Sequence, residues 1–167
     1  MEDSLSCSEK AYELKSDDIT VLTRYGRALW NKSRSYSKIR RGQQRSNLQE
    51  KLPALIKSEK ILTESIKYEQ SWFAYSTRMI VRHDIADIVI NRDHAEAINY
   101  LHEAKKDGHL CFTTKTTRKD MTILAEICQK IAKFPYTLES GPHFVPPEMR
   151  NYLYQAFRLF ILCYISL

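Results

Sequence analysis

Four of the five prolines in this 167-residue chain lie between Lys133 and Pro147, and its four glycines stand far apart. Upstream of that stretch only Gly26, Gly42, Pro53 and Gly108 are available to break a regular segment. A sandwich of short strands or a doubly wound parallel sheet needs many more sharp turns than this. So few breakers leave long helices as the consistent solution.

Apolar spacing agrees. Helical periodicity predicts helices over Leu5–Leu14, Ile19–Tyr36, Gln49–Tyr68, Trp72–Val89, His94–Asp107, Thr117–Lys133 and Glu148–Ile165. Asp17 and Asp18 stand where short carboxylates can accept the free backbone N–H groups before Ile19, and Asp93 does so before His94. Pro146-Pro147 suits the first turn of the last helix. SRSYSKIRRGQQRSN, Ser33–Asn47, reads as an exposed basic loop, and KFPYTLESGPHFVPP as an ordered linker. LCFTTKTT, Leu110–Thr117, has the composition of a short strand but no pairing partner.

Gly26 sits inside the strongest of these helices, where glycine costs about 1 kcal/mol relative to alanine. A missing Cβ there implies a close approach by a second helix. In ITVLTRYGRALW the pattern falls on Leu22, Tyr25, Gly26 and Leu29, and in SWFAYSTRM on Trp72, Tyr75, Ser76 and Met79. AINYLHEA places Ala97, Leu101 and Ala104, and SEKILTES places Ser58, Leu62 and Ser65, on a small-large-small face. Together these motifs resemble the tetratricopeptide repeat family, whose 34-residue unit pairs W-x2-L-G-x2-Y on one helix with A-x3-F on the next. Ala11 precedes Gly26 by fifteen residues, the family's interval between successive repeats, so the chain reads as beginning within a repeat.

The resemblance spans roughly residues 5 to 107. It departs from the family at two places. About 20 residues are inserted between Gly26 and Ser58 and about 9 between Ser76 and Ala97, and the closing proline is absent at Ser16 and Gln70. Beyond residue 107, KDMTILAEICQKIA is simply amphipathic. The family implies stacked helical hairpins whose apolar faces only the next repeat covers, and a concave surface that receives protein segments.

Other classes are poorly supported. Cys7, Cys111, Cys128 and Cys163 form no CxxC pair, so neither a disulfide framework nor a structural zinc site is expected, and the thiols read as reduced. MEDSLSCSEK has no secretory pattern, which leaves the sequon at Asn31 idle and makes the cytoplasm the expected location. AFRLFILCYISL, Ala156–Leu167, is shorter than the ~20 residues of a membrane helix. Cys163 is one position out of place for prenylation. The strip reads as a helix meant to pack on more protein, and its abrupt end suggests a truncated chain.

No reaction is legible. RHDIADIVIN differs from a kinase catalytic loop in letter order and in the place of Asn91, and no glycine-rich loop accompanies it. His94, His102, His109 and Cys111 lack the spacing of a zinc set, and Cys128, Trp30 and Trp72 read as core. Neither a metal nor a cofactor is expected.

Charge is more informative. Residues 27–67 hold 11 Lys/Arg against 3 Asp/Glu, leaving 15 against 17 elsewhere, so the net +6 originates there. The expected fold is all-α: irregular tetratricopeptide-like hairpins over 1–134 forming a solenoid fragment, a proline-rich loop over 135–147 and a C-terminal helix over 148–167. The expected function is a non-enzymatic interaction scaffold binding a protein or peptide segment through Thr23, Arg27, Ser71, Tyr75 and Arg78. The alternative is binding of RNA or another polyanion through Lys32, Arg34, Lys38, Arg40, Arg41 and Arg45, with Tyr36 available to stack on a base.

Overall fold

The structure, a computed structural model, describes residues 4–35, 44–114, 117–133, 151–152, 154–159 and 161, with the side chains of 44–49 and 112–114 excluded. Six helices follow one another: α1 (Ser4–Leu14), α2 (Ile19–Ser35), α3 (Gln44–Tyr68), α4 (Trp72–Val89), α5 (His94–Thr114) and α6 (Arg118–Lys133). Helical residues continue at 151–152, 154–159 and 161. Among the described residues there is no strand, and no helix is long and apolar enough to cross a membrane. The chain is all-α.

Local chemistry sets several helix starts. The Asp18 carboxylate accepts the N–H of Thr20 at 2.8 Å and of Val21 at 3.1 Å, and Asp93 accepts that of Glu96 at 2.9 Å. At α6 the cap is reciprocal. The Thr117 hydroxyl accepts the Asp120 N–H at 3.2 Å while the Asp120 carboxylate accepts the Thr117 N–H at 3.1 Å. Asp120 also accepts the Ser76 hydroxyl from α4. Thr117→Ala is therefore expected to cost about 1–2 kcal/mol, read as a lower urea midpoint with unchanged slope.

Two sequence expectations need correction. Gly108 does not end α5, and Leu110–Thr114 is helix rather than strand. A methyl group at Gly108 would lie 2.7 Å from Leu124 Cδ1 and 3.0 Å from Met79 Sδ, so this glycine is a notch for α6 and α4. Buried Leu101, Ala104 and Cys111 carry one packed face across it. The basic loop of Ser33–Asn47 is also shorter than expected. Ser33–Ser35 closes α2, and α3 already begins at Gln44 with Pro53 inside it. Residues 36–43 and the expected proline-rich linker over 135–147 lie outside the described residues.

Each helix packs on its neighbour in sequence; in addition α2 meets α4 and α4 meets α6. The main core runs from Trp30 and Leu62 through Met79, Ile85 and Leu101 to Leu124, Ile127 and Ala156. A smaller core joins Leu22, Tyr25, Leu29 and Ile61, with Leu5 and Tyr12 against it. Tyr12 stacks on Tyr25 at 5.0 Å, and the Tyr25 hydroxyl donates to Glu9 at 2.9 Å, which seats α1 on α2.

The small-residue positions lie at the tightest contacts. A methyl at Gly26 would meet Leu62 Cγ at 2.7 Å. The Gly26 carbonyl accepts the Ser58 hydroxyl at 2.6 Å, a bond that requires the two backbones to be close. Ser58, Leu62, Ser65, Ala97 and Ala104 are fully buried, and Ser76 is nearly so.

Candidate functional site

The even-numbered helices share a cleft of about 160 Å³. α2 contributes Arg27 and Trp30; α4 contributes Trp72, Phe73, Ser76, Thr77 and Ile80; Thr117, Lys119 and Asp120 close it at the start of α6. The α4 positions recur at three- and four-residue steps, one stripe of a helix. The capped first turn of α6 holds the third wall in place through the Ser76–Asp120 bond.

Cations and aromatic rings alternate around this cleft. The Arg27 guanidinium lies 4.6 Å from the Phe73 ring centre. Arg34 and the Lys119 ammonium each lie 5.2 Å from the Trp30 ring. Trp30 is 5% exposed, and its indole N–H donates to Asp84 at 2.9 Å. Cation–ring contacts of this kind contribute about 0.5–1 kcal/mol each when exposed, enough to position a side chain without neutralising it.

Of the five residues expected to bind protein, only Arg27 reaches the cleft. Thr23 is buried and shares a hydrogen bond with the Ser65 hydroxyl at 2.7 Å, tying α2 to α3. Tyr75 is buried beside Arg78. Arg78 grips Asp107 of α5 in a two-point ion pair, Nε at 2.9 Å and Nη2 at 2.6 Å. Ser71 is half-buried ahead of α4, where its carbonyl accepts the Tyr75 N–H. The assumption that polar side chains point outward fails at Thr23, Tyr75 and Arg78 because each has a partner inside. Sequence reasoning missed Phe73, Thr77 and Ile80, which do not stand out on a helix buried nearly all round.

Two residues of the polyanion alternative have described side chains, Lys32 and Arg34. Lys32 is exposed on the last turn of α2, and Arg34 lies over Trp30. Lys38, Arg40 and Arg41 lie outside the described residues; Arg45 is in α3, with its side chain outside them.

Elsewhere the ionisable groups serve the packing. Arg82 reaches Asp107 at 2.9 Å and Glu59 at 2.8 Å, so two guanidinium groups share one buried carboxylate. Burial raises the Asp107 carboxyl, against the downward pull of both arginines. Burial pushes the Cys111 thiol up to about 12, and its S–H donates to the Trp72 carbonyl at 3.3 Å. That is the opposite of an activated nucleophile. Cys128 is raised by burial as well. Among the described residues no group of three His, Cys, Asp or Glu is arranged to hold a metal ion.

His83 of α4 has a constrained protonation state. The Lys130 ammonium of α6 donates to its Nε2 at 2.8 Å, which requires a lone pair there. Burial first, then Lys130, lowers its pKa below the ordinary imidazole value. The unfolded chain therefore takes up the proton first. Stability is full above the ordinary imidazole range and is lost as pH falls below it, levelling off under the folded-state pKa. His102 and His109 are lowered by burial too and act with the same sign. Melting temperature should drop between about pH 7.5 and 5.5. His83→Gln, which keeps an acceptor for Lys130, should flatten that slope; a slope equal to wild type would remove His83 from the response.

Compared with protein-family models, with curated proteins and with solved structures, the chain matches none.

Proposed function

We propose that this chain is a tetratricopeptide-like helical scaffold, cytoplasmic and non-enzymatic, that receives a protein segment in the cleft between α2, α4 and α6. The cleft carries this reading: one continuous row of alternate helices offers Phe73 and Ile80 beside exposed Arg27 and Lys119. The repeat assignment is supported by the notch at Gly26 against Leu62, by the buried Ser58–Leu62–Ser65 face, and by the meeting of α2 with α4 and α4 with α6. Its non-enzymatic character is supported by the internal bonds that occupy Asp107, Asp120 and His83.

Selection of a random peptide display library on the full chain, followed by amide chemical-shift mapping of the enriched peptides, tests the reading. Shifts should cluster at Arg27, Phe73, Thr77 and Lys119. Enriched peptides that instead shift the outer face of α3 or residues 154–159 would overturn it.

A further inference from the structure

We infer that the segment received by this cleft is acidic, with carboxylate side chains that pair with Arg27 and Lys119 around a single apolar anchor. The inference rests on the docking reading above and adds the chemistry of the partner.

The charged side chains that line the cleft are unbalanced, Arg27 and Lys119 against Asp120. Some cations elsewhere in the described molecule are matched within it: Lys57 with Glu9, Arg78 and Arg82 with Asp107, Lys106 with Glu103 and Lys130 with Asp87. Among the described residues no carboxylate lies within ion-pair distance of Arg27, Arg34 or Lys119. Two acids bonded to residues of the cleft are already engaged. Asp84 accepts the Trp30 indole, and Asp120 accepts the Ser76 and Thr117 hydroxyls. Arg27 and Lys119 are thus held at the rim by ring contacts, without an ion-pair partner among the described residues.

The volume sets the anchor. A space of about 150 Å³ admits a benzene-sized group, and this cleft of about 160 Å³, walled by Phe73 and Ile80, has room for one such side chain. The same rings argue against a polynucleotide. A base needs an open aromatic face, whereas Trp30 is buried with two cations close by and Phe73 already carries Arg27. Carboxylates need only the cations.

The test is fluorescence anisotropy on the full chain with a labelled synthetic peptide in which one leucine is flanked by glutamates. A twin peptide with glutamines in their place and a single-stranded oligouridine are the comparison probes. At low salt the glutamate peptide should bind at least about tenfold tighter than its twin, and the gap should close as salt rises. Arg27→Gln and Lys119→Gln, both at exposed positions, should each weaken the glutamate peptide about threefold or more while lowering the melting temperature by no more than about 4 °C. Equal affinity for the two peptides, both sensitive to Phe73→Ala, would overturn the acidic assignment and leave the docking reading standing. Tighter binding of oligouridine through the same residues, or no binding of either peptide, would also overturn it.

Discussion

Asp107→Ala is expected to destabilise the fold by about 3–5 kcal/mol, the cost of stranding a buried charge. Here two charges are stranded together. Arg78 spends two of its N–H groups on Asp107, and Arg82 one, inside the layer where α4 meets α5. Beyond Asp107, Arg78 has the Thr63 hydroxyl at 3.1 Å and the Tyr75 ring, neither of them charged, while Arg82 keeps Glu59. Arg78 should therefore account for more of the loss. The triple change Arg78→Met, Arg82→Met, Asp107→Leu should cost less than the single one, since it removes the buried charge along with its counter-charge. Glu59, which is only partly buried, can turn to water. Urea unfolding of the two variants checks the order; a triple variant less stable than Asp107→Ala would show that the network contributes more than its own neutralisation.

Leu62→Ala should cost about 2–5 kcal/mol, as for other large-to-small changes in a packed core. Its value as a test lies in Gly26. In the wild-type background Gly26→Ala gains about 1 kcal/mol of helix propensity but drives a methyl to 2.7 Å from Leu62 Cγ. Overpacking of that kind costs about 1–3 kcal/mol, so a net loss on the order of 1 kcal/mol is expected. With Leu62→Ala already in place the collision is gone, and Gly26→Ala should raise stability by about 1 kcal/mol. The sign of one substitution is thus set by a residue 36 positions away. Denaturation of the four proteins of the cycle measures it. A Gly26→Ala effect of the same sign in both backgrounds would mean that α3 can move aside, and the case for a repeat-type notch would fall with it.

Caps and spans were legible because their causes are local. Asp18 and Asp93 accept N–H groups two or three residues ahead, so the letters alone show the bond. Gly108 was misread because breaker and notch look alike until Leu124 and Met79 are seen beside it. The cleft was not legible in the sequence for a similar reason. α4 touches α2, α3, α5 and α6, and nearly every residue from Ala74 to Val89 is buried. A helix enclosed on all sides carries no stripe from which its open face can be read. Polar letters at Thr23 and Arg78 therefore looked exposed, although their partners Ser65 and Asp107 hold them inside.

The amino-acid order by itself determined that this chain is helical, where most of its helices start, and that small residues mark its close contacts. All three follow from interactions within a few residues or from a breaker count. Only the tertiary structure decided which charges are spent inside, which side of α4 faces a cleft, and that Arg27 and Lys119 line that cleft without an ion-pair partner among the described residues. Those outcomes depend on distances between groups far apart in the chain, and a helix lets a residue's neighbours in space be set by packing rather than by sequence.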